Sequence, residues 1–324
     1  MNAQEHIYSE LQKLSEPVER TFLEGQELQD ELLKRVLAKK FRKLKADEEL
    51  IEGAKNAIRL AVEEQKPVTL GLLFGGNKLW RFEEAPEIDW AELFTTVYFL
   101  RLAKHVAGVY EHGVQVLFYS QDVSVQSLNN VPRAETDNYS KTFRSMLEWL
   151  KPYMPEGVSV IYRRHAEEYT DIAEYDAELE TAKQHMLDES NGKLPVLSEE
   201  QKTATELNVR LLPGQADDPE WREKVELQHQ AIFSTKTLAE GYLSDPYHIA
   251  LSPTYYPGCL ITGSTPASMA KFWAGVGALR KDNDHYTDLV LSPKQLESAA
   301  FEWQDVHLDG LQGKNFSRIR IVTA

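Results

Sequence analysis

An alternation of short apolar runs with amphipathic segments constrains this chain more than any other feature. Pro67 introduces Val68-Thr69-Leu70-Gly71-Leu72-Leu73-Phe74, an almost unbroken apolar run of the kind found in a strand covered on both faces. Beyond Gly75-Gly76, Asp89 is placed to cap a helix whose Trp90, Leu93, Phe94, Val97 and Tyr98 share one face. That helix is expected to run to about Tyr110, with Gly113 as its stop. Residues 114–119 read as a second strand, about 138–150 as a helix, and 158–162 as a third strand. Strand, helix, strand, helix, strand is the rhythm of parallel βαβ units. It predicts an α/β fold, a Rossmann-like, mostly parallel sheet with helices on both faces. Ligands in such sheets gather beyond the carboxyl ends of the strands, so the loops after Phe74, Tyr119 and Tyr162 become the candidate site.

The rest of the chain fits around that unit. Residues 1–66 read as a helical preface packed on the core, with Leu50, Ile51, Ala54, Ile58, Ala61 and Val62 at helical spacing behind an Asp47 N-cap. Residues 67–324 then form a Rossmann-like catalytic domain. Within it, about 165–243 turns polar and predicts an inserted, lid-like helical section broken at Asn191-Gly192 and Pro213-Gly214. Ser198 with Gln201 matches a capping box, and Asp218-Pro219 an N-cap followed by a first-turn proline, so two helices are expected there. Strand character returns at 248–251 and 259–261. A helix is expected from about Pro266 to Leu279, and a last strand at 318–322.

Charge and cysteine usage exclude several classes. Acidic residues outnumber basic ones 51 to 36, for a net charge of −15, which argues against a broad nucleic-acid surface. Cys259 is the only cysteine, so neither an internal disulfide nor a Cys-rich metal site is available, and a reducing, cytoplasmic setting is expected. No run approaches the roughly 18 apolar residues of a membrane span. The seven Lys and Arg between Lys34 and Lys45 surround Val36, Leu37, Phe41 and Leu44, as on an amphipathic helix with a solvated basic face.

Several constellations could carry chemistry. In Gly75-Gly76-Asn77-Lys78-Leu79-Trp80-Arg81 the glycines allow close backbone approach, while Lys78 and Arg81 can meet a carboxylate or phosphate. A tight turn with surface charges is the other reading. Asp122, after the second strand, can accept substrate hydrogen bonds or act as a base, or simply cap a turn. Arg163, after the third, suits an anion, although the acidic Glu167, Glu168 and Asp171 would pair with it equally well. Gly263-Ser264-Thr265-Pro266 would open the expected helix and offer Ser264, Thr265 and free amides to an anion, or serve as an ordinary cap. Glu92 fits both first-turn capping and function, and His248 fits a core histidine or a ligand contact. No P-loop, dinucleotide fingerprint, metal motif or serine-hydrolase elbow is present, so neither cofactor nor metal is expected.

From about Pro67 to Tyr139 the chain resembles the isocyanide synthase family, which includes the pyoverdine and dityrosine biosynthesis proteins. The similar features are the apolar strand ending in Phe74 with Lys78 close behind, Pro86 and Asp89-Trp90-Ala91-Glu92 opening a helix, Tyr110-Glu111-His112-Gly113, and Ser120-Gln121-Asp122. The resemblance implies a Rossmann-like, metal-independent enzyme that joins an amino acid amine to the carbonyl of ribulose 5-phosphate and leaves an isonitrile carbon. It further implies that Lys78 holds an anion or polarises the ketose carbonyl, that Asp122 or Glu92 moves protons, and that Arg163 or the Ser264-Thr265 turn receives the phosphate. A Rossmann-like group transferase such as a methyltransferase, and a non-catalytic binding protein, are the competing readings.

Overall fold

The computed structural model describes residues 2–17, 19–41, 44–236, 238, 242, 245–253 and 258–323, and leaves the side chain of Asn77 aside. Arg42 and Lys43 of the basic run therefore lie outside the described residues.

Five strands form a parallel sheet: β1 (Val68–Phe74), β2 (Val114–Ser120), β3 (Val158–Arg164), β4 (His248–Ser252) and β5 (Leu260–Ile261), in the order β3-β2-β1-β4-β5. The first three are the expected strands, with two of them running slightly longer. Alternate side chains leave the sheet on opposite sides and meet separate apolar clusters. Leu70, Leu72, Phe74, Val116 and Phe118 join the main core, whereas Leu73, Leu117 and Tyr119 face Tyr175, Leu179, Ala231 and Ile232. Apolar area on both faces explains why β1 and β2 lack a polar stripe, whereas β3, at the edge, exposes Ser159 and Arg163.

Helix α4 (Trp90–Ala107), which follows α1 (Ala3–Ser15), α2 (Gly25–Val36) and α3 (Glu48–Glu63), occupies the centre of the main core. Fifteen of its eighteen residues are buried, so the single apolar face expected from spacing understates it. One side of α4 packs on β2 and another on β6 (Val276–Asp282). It ends at Ala107, short of the expected Tyr110. Gly113 instead adopts φ 74° in the turn into β2, where a Cβ would lie 2.3 Å from the Gly157 carbonyl oxygen. The α1, α2 and α3 side chains Leu11, Leu32 and Ile58 are wholly buried in the same core, and Asp47 caps α3 by accepting from the Leu50 amide.

Helices α5 (Asp122–Asn129) and α6 (Arg133–Leu150) link β2 to β3; the sequence suggested only the second of these. Among the described residues the polar section holds three α-helices where two were expected: α7 (Ile172–Glu189), α8 (Glu199–Asn208) and α9 (Trp221–Ser234). Ser198 and Gln201 form the expected capping box of α8, which buries none of its residues. The N-cap of α9 is Glu220, two residues after the expected Asp218.

The larger correction concerns residues 266–279. No helix forms there. A tight turn and a 3-10 turn (Phe272–Ala274) lead into β6, which joins β7 (His285–Leu291), β8 (Phe301–Asp305) and β9 (Arg318–Thr323) in a mixed sheet ordered β7-β6-β9-β8, with α10 (Pro293–Ser298) between β7 and β8. Gly277 explains the fit: a Cβ there would lie 2.3 Å from Trp90 Cβ and 2.4 Å from the Ala91 nitrogen. Only a bare backbone lets β6 approach the start of α4 so closely. Among the described residues no helix is long and apolar enough to cross a membrane.

Candidate active site

The strand order reverses beside β1, because the chain adds β2 and β3 on one side and then returns to lay β4 on the other. Beyond the carboxyl ends of β1 and β4, at that switch point, lies a cavity of about 300 Å³. Leu73 and Gly75 of β1 and its loop, Gln121 after β2, Ser252 at the end of β4, Lys271 and Trp273 form its strand-end wall. Gln201, Thr205 and Asn208 of α8, with Glu226, His229 and Phe233 of α9, line it from the inserted section. Neither Gly75 nor Gly76 needs a left-handed backbone. Space is tight at Gly76, where a Cβ would lie 2.9 Å from Leu79 Cδ1, whereas at Gly75 it would make an ordinary contact with the Trp273 indole at 3.6 Å.

Lys78 does not reach this cavity as a free cation. The 3-10 turn Asn77–Trp80 carries it inward, where its ammonium, fully buried, donates to Asp89 Oδ1 at 2.8 Å and to Glu92 Oε1 and Oε2 at 2.8 and 2.7 Å. Both carboxylates come from the start of α4 and form its capping box. Asp89 Oδ1 also accepts from the Ala91 amide at 2.8 Å, and Oδ2 from the Gly277 amide at 3.2 Å. Glu92 accepts from the Asp89 amide at 2.8 Å and from the Tyr139 hydroxyl at 2.9 Å. Burial of a charge is tolerable only with such complete pairing.

The cluster holds one cation and two carboxyls, and its electrostatics divide them. Burial raises the Glu92 pKa to about 7, against the opposing pull of Lys78. Burial also works against ionisation of Asp89, but the charge and hydrogen bonds of Lys78 outweigh it and hold that carboxyl below its usual range. Desolvation of Lys78 is likewise outweighed by its two partners, so its pKa is raised. Lys78 and Asp89 are thus held toward their charged forms, while Glu92 is the carboxyl of the pair that burial pushes toward neutral pH.

The other expected site residues are dispersed. Asp122 lines no part of the cavity: Arg164 Nε donates to its Oδ2 at 2.6 Å and the Ala166 amide to its Oδ1 at 3.0 Å. Burial raises its pKa although Arg164 opposes the shift. Arg163 is exposed, whereas the adjacent Arg164 turns inward to Asp122 and Asp137. His248 opens β4, at the end of the strand away from the cavity, with its ring tilted by 37° against Tyr242 at a centroid distance of 4.6 Å. Ser264 and Thr265 precede no helix. Their hydroxyls, fully buried, donate to the Ser268 and Asp288 carbonyls at 3.0 and 2.8 Å and close a turn that offers an anion nothing. Lys78, Asp122, Arg163 and Ser264 thus do not share one cavity, while Lys78, Asp89 and Glu92 do converge.

Sequence reasoning missed Lys271 and Trp273. Lys271 is exposed on the cavity wall, and among the described residues no carboxylate pairs with it. Protein crowding around its ammonium, and then the charge of Arg81, lower its pKa. Arg81 lies across the Trp80 ring at 4.5 Å, with Nε and Nη2 buried and unpartnered. The one available signal was a charged residue inside the otherwise apolar Ala270-Lys271-Phe272-Trp273-Ala274. Among the described residues no group of three His, Cys, Asp or Glu side chains could hold a metal ion.

The solved structure of the PvcA protein from Pseudomonas aeruginosa matches this chain with a TM-score of 0.60 at 16% sequence identity, covering 91% of this chain and 99% of that one. PvcA is an isocyanide synthase, and at this identity the likeness shows a shared fold. No protein-family model matches the chain, and no curated protein matches it in sequence.

Proposed function

We propose that this protein is a biosynthetic enzyme of the isocyanide synthase kind, joining the amine of an amino acid to the carbonyl of ribulose 5-phosphate and leaving an isonitrile carbon. The observation that carries the reading is the position of the cavity: in a fold that spans nearly the whole of PvcA, it lies at the strand-end switch point where α/β enzymes bind their ligands. Condensation of an amine with a ketose releases water and passes through an imine that bulk water would hydrolyse. A partly enclosed cavity under α8 and α9 suits that demand. Proton transfers near neutral pH call for a group that titrates there, and Glu92 has that property. In this reading Glu92, which is sealed behind the cavity wall and lines no part of the cavity, supplies the proton exchange, and Lys78 with Asp89 fixes its position. The small molecules enter between the β1 and β2 loops and the inserted helices. Arg163, Asp122, Ser264 and Thr265 have no part in it.

Incubating pure protein with single amino acids and ribulose 5-phosphate, followed by mass spectrometry for an isonitrile or its formamide hydrolysis product, tests the reaction. A product that depends on both substrates is expected. A clean blank across the common amino acids would remove the proposal.

A further inference from the structure

We infer that Lys271, on the strand-end wall of the cavity, and Arg81, close behind that wall, together form an oxyanion-binding subsite, the place where a phosphate or carboxylate of the substrate is held. The inference deepens the enzymatic reading above and rests on it for the identity of the substrate, but not for the presence of the anion.

Three observations carry it. First, Arg81 and Lys271 come from different parts of the chain, yet the 3-10 turn that ends at Arg81, Asn77–Trp80, packs against the one that starts after Lys271, Phe272–Ala274. The two like charges are close enough that Arg81 works against protonation of Lys271. Second, neither has a carboxylate partner among the described residues, in a chain where acidic residues outnumber basic ones 51 to 36. The nearby Lys78 shows the contrast, being fully paired by Asp89 and Glu92. Third, the Arg81 guanidinium keeps Nε and Nη2 buried without acceptors, and a guanidinium edge with two free donors fits two oxygens of one anion. Two adjacent cations repel each other in the empty site, and a bound anion reverses that sign for both.

The opposite wall is of opposite charge. Glu226 of α9 lines the cavity, and His229, 3.8 Å from its carboxylate, with the Gln230 amide donating to it at 2.8 Å, holds that carboxyl below the usual range. A ligand with an oxyanion at one end and a hydroxyl or ammonium at the other would therefore have one orientation. Gln121, whose side-chain amide nitrogen has no acceptor among the described residues, lies on the wall between these regions as a further donor.

The test is ligand binding to the full chain, read by isothermal titration with inorganic phosphate, ribulose 5-phosphate, unphosphorylated ribulose and acetate as separate probes. Saturable binding of phosphate and ribulose 5-phosphate, with little of ribulose, would identify the anion as a phosphate; saturable acetate binding displaced by amino acids would identify it as a carboxylate. Either supports the subsite if Lys271→Ala weakens it by about tenfold or more. Arg81→Gln should do the same. If Arg81→Gln fails to fold, Lys271→Ala decides alone, since its side chain is exposed and outside the core. Binding that survives both substitutions, or no saturable binding of any anion, overturns the subsite. Anion binding without isonitrile formation would instead leave the subsite standing and remove the reaction.

Discussion

Lys78 Nζ lies 2.7 Å from Glu92 Oε2, and neither side chain has any exposure to solvent. A cation sealed against the first turn of the central helix is a structural commitment as well as a chemical one. Lys78→Met leaves Asp89 and Glu92 buried without their counter-charge, which typically costs about 3–5 kcal/mol. Urea unfolding monitored by tryptophan fluorescence should show that loss, and adding Glu92→Gln should recover part of it because the two sites are directly coupled. A single-variant loss below about 1 kcal/mol would contradict the geometry.

The Glu92 carboxyl also gives stability a definite pH dependence. Its native pKa of about 7 lies above its ordinary 4.5, so between those values the unfolded chain has released a proton that the folded protein keeps. The contribution is full below about pH 4.5 and is lost as pH rises through 7. Asp89, shifted the other way, acts only at lower pH. Between pH 4.5 and 7 the wild-type urea midpoint should fall relative to that of Glu92→Gln. Parallel profiles for the two proteins would show that Glu92 does not titrate there.

The neighbouring arginines of β3 should behave oppositely. Arg164→Ala strands the buried Asp122 carboxylate and is expected to cost about 3 kcal/mol, while Arg163→Ala, on the exposed side, should stay within about 0.5 kcal/mol of wild type. Thermal melts of the two variants decide this, and equal losses would reverse the assignment.

Two glycines provide a further pair. Gly277→Ala drives a methyl into the backbone of Trp90 and Ala91 and should destabilise by about 4 kcal/mol or more, with an altered near-ultraviolet signal from Trp90. Gly53, on the exposed face of α3 with open space around it, should gain about 0.5–1 kcal/mol on conversion to alanine. Chemical denaturation of both variants reads the two signs directly.

How much of this was legible in the sequence follows from the same contacts. The first two strands announced themselves because a strand buried on both faces has no polar stripe to confuse with a helix, while the half-exposed edge strand β3 was read from its β-branched Val158, Val160 and Ile161. Asp89 and Glu92 were visible as a capping box, but nothing local indicated that Lys78 would fold back onto them. The β6 segment misled for a physical reason. Ala267 to Ala274 has helical propensity, which tertiary contacts override: the Ser264 hydroxyl bonds to the Ser268 carbonyl within a turn, the Thr265 hydroxyl to the Asp288 carbonyl of β7, and Gly277 abuts α4. The Asn283-Asp284 turn between β6 and β7, with Asn283 at φ 55°, was the available hairpin signal. Arg81 and Lys271 meet only after the chain has passed through five strands, so no spacing rule could have paired them.

The exposed helix α8 has a kinetic consequence. It borders the cavity through Gln201, Thr205 and Asn208 yet gives no side chain to the core, and its contacts are made chiefly to α9. Detaching it sacrifices little apolar burial, so the free energy of that local opening lies far below that of global unfolding. Under the proposed reaction the same helix would shield a water-sensitive intermediate and still yield often enough to exchange substrate for product. Amide protons of α8 should accordingly exchange with solvent long before those of α4.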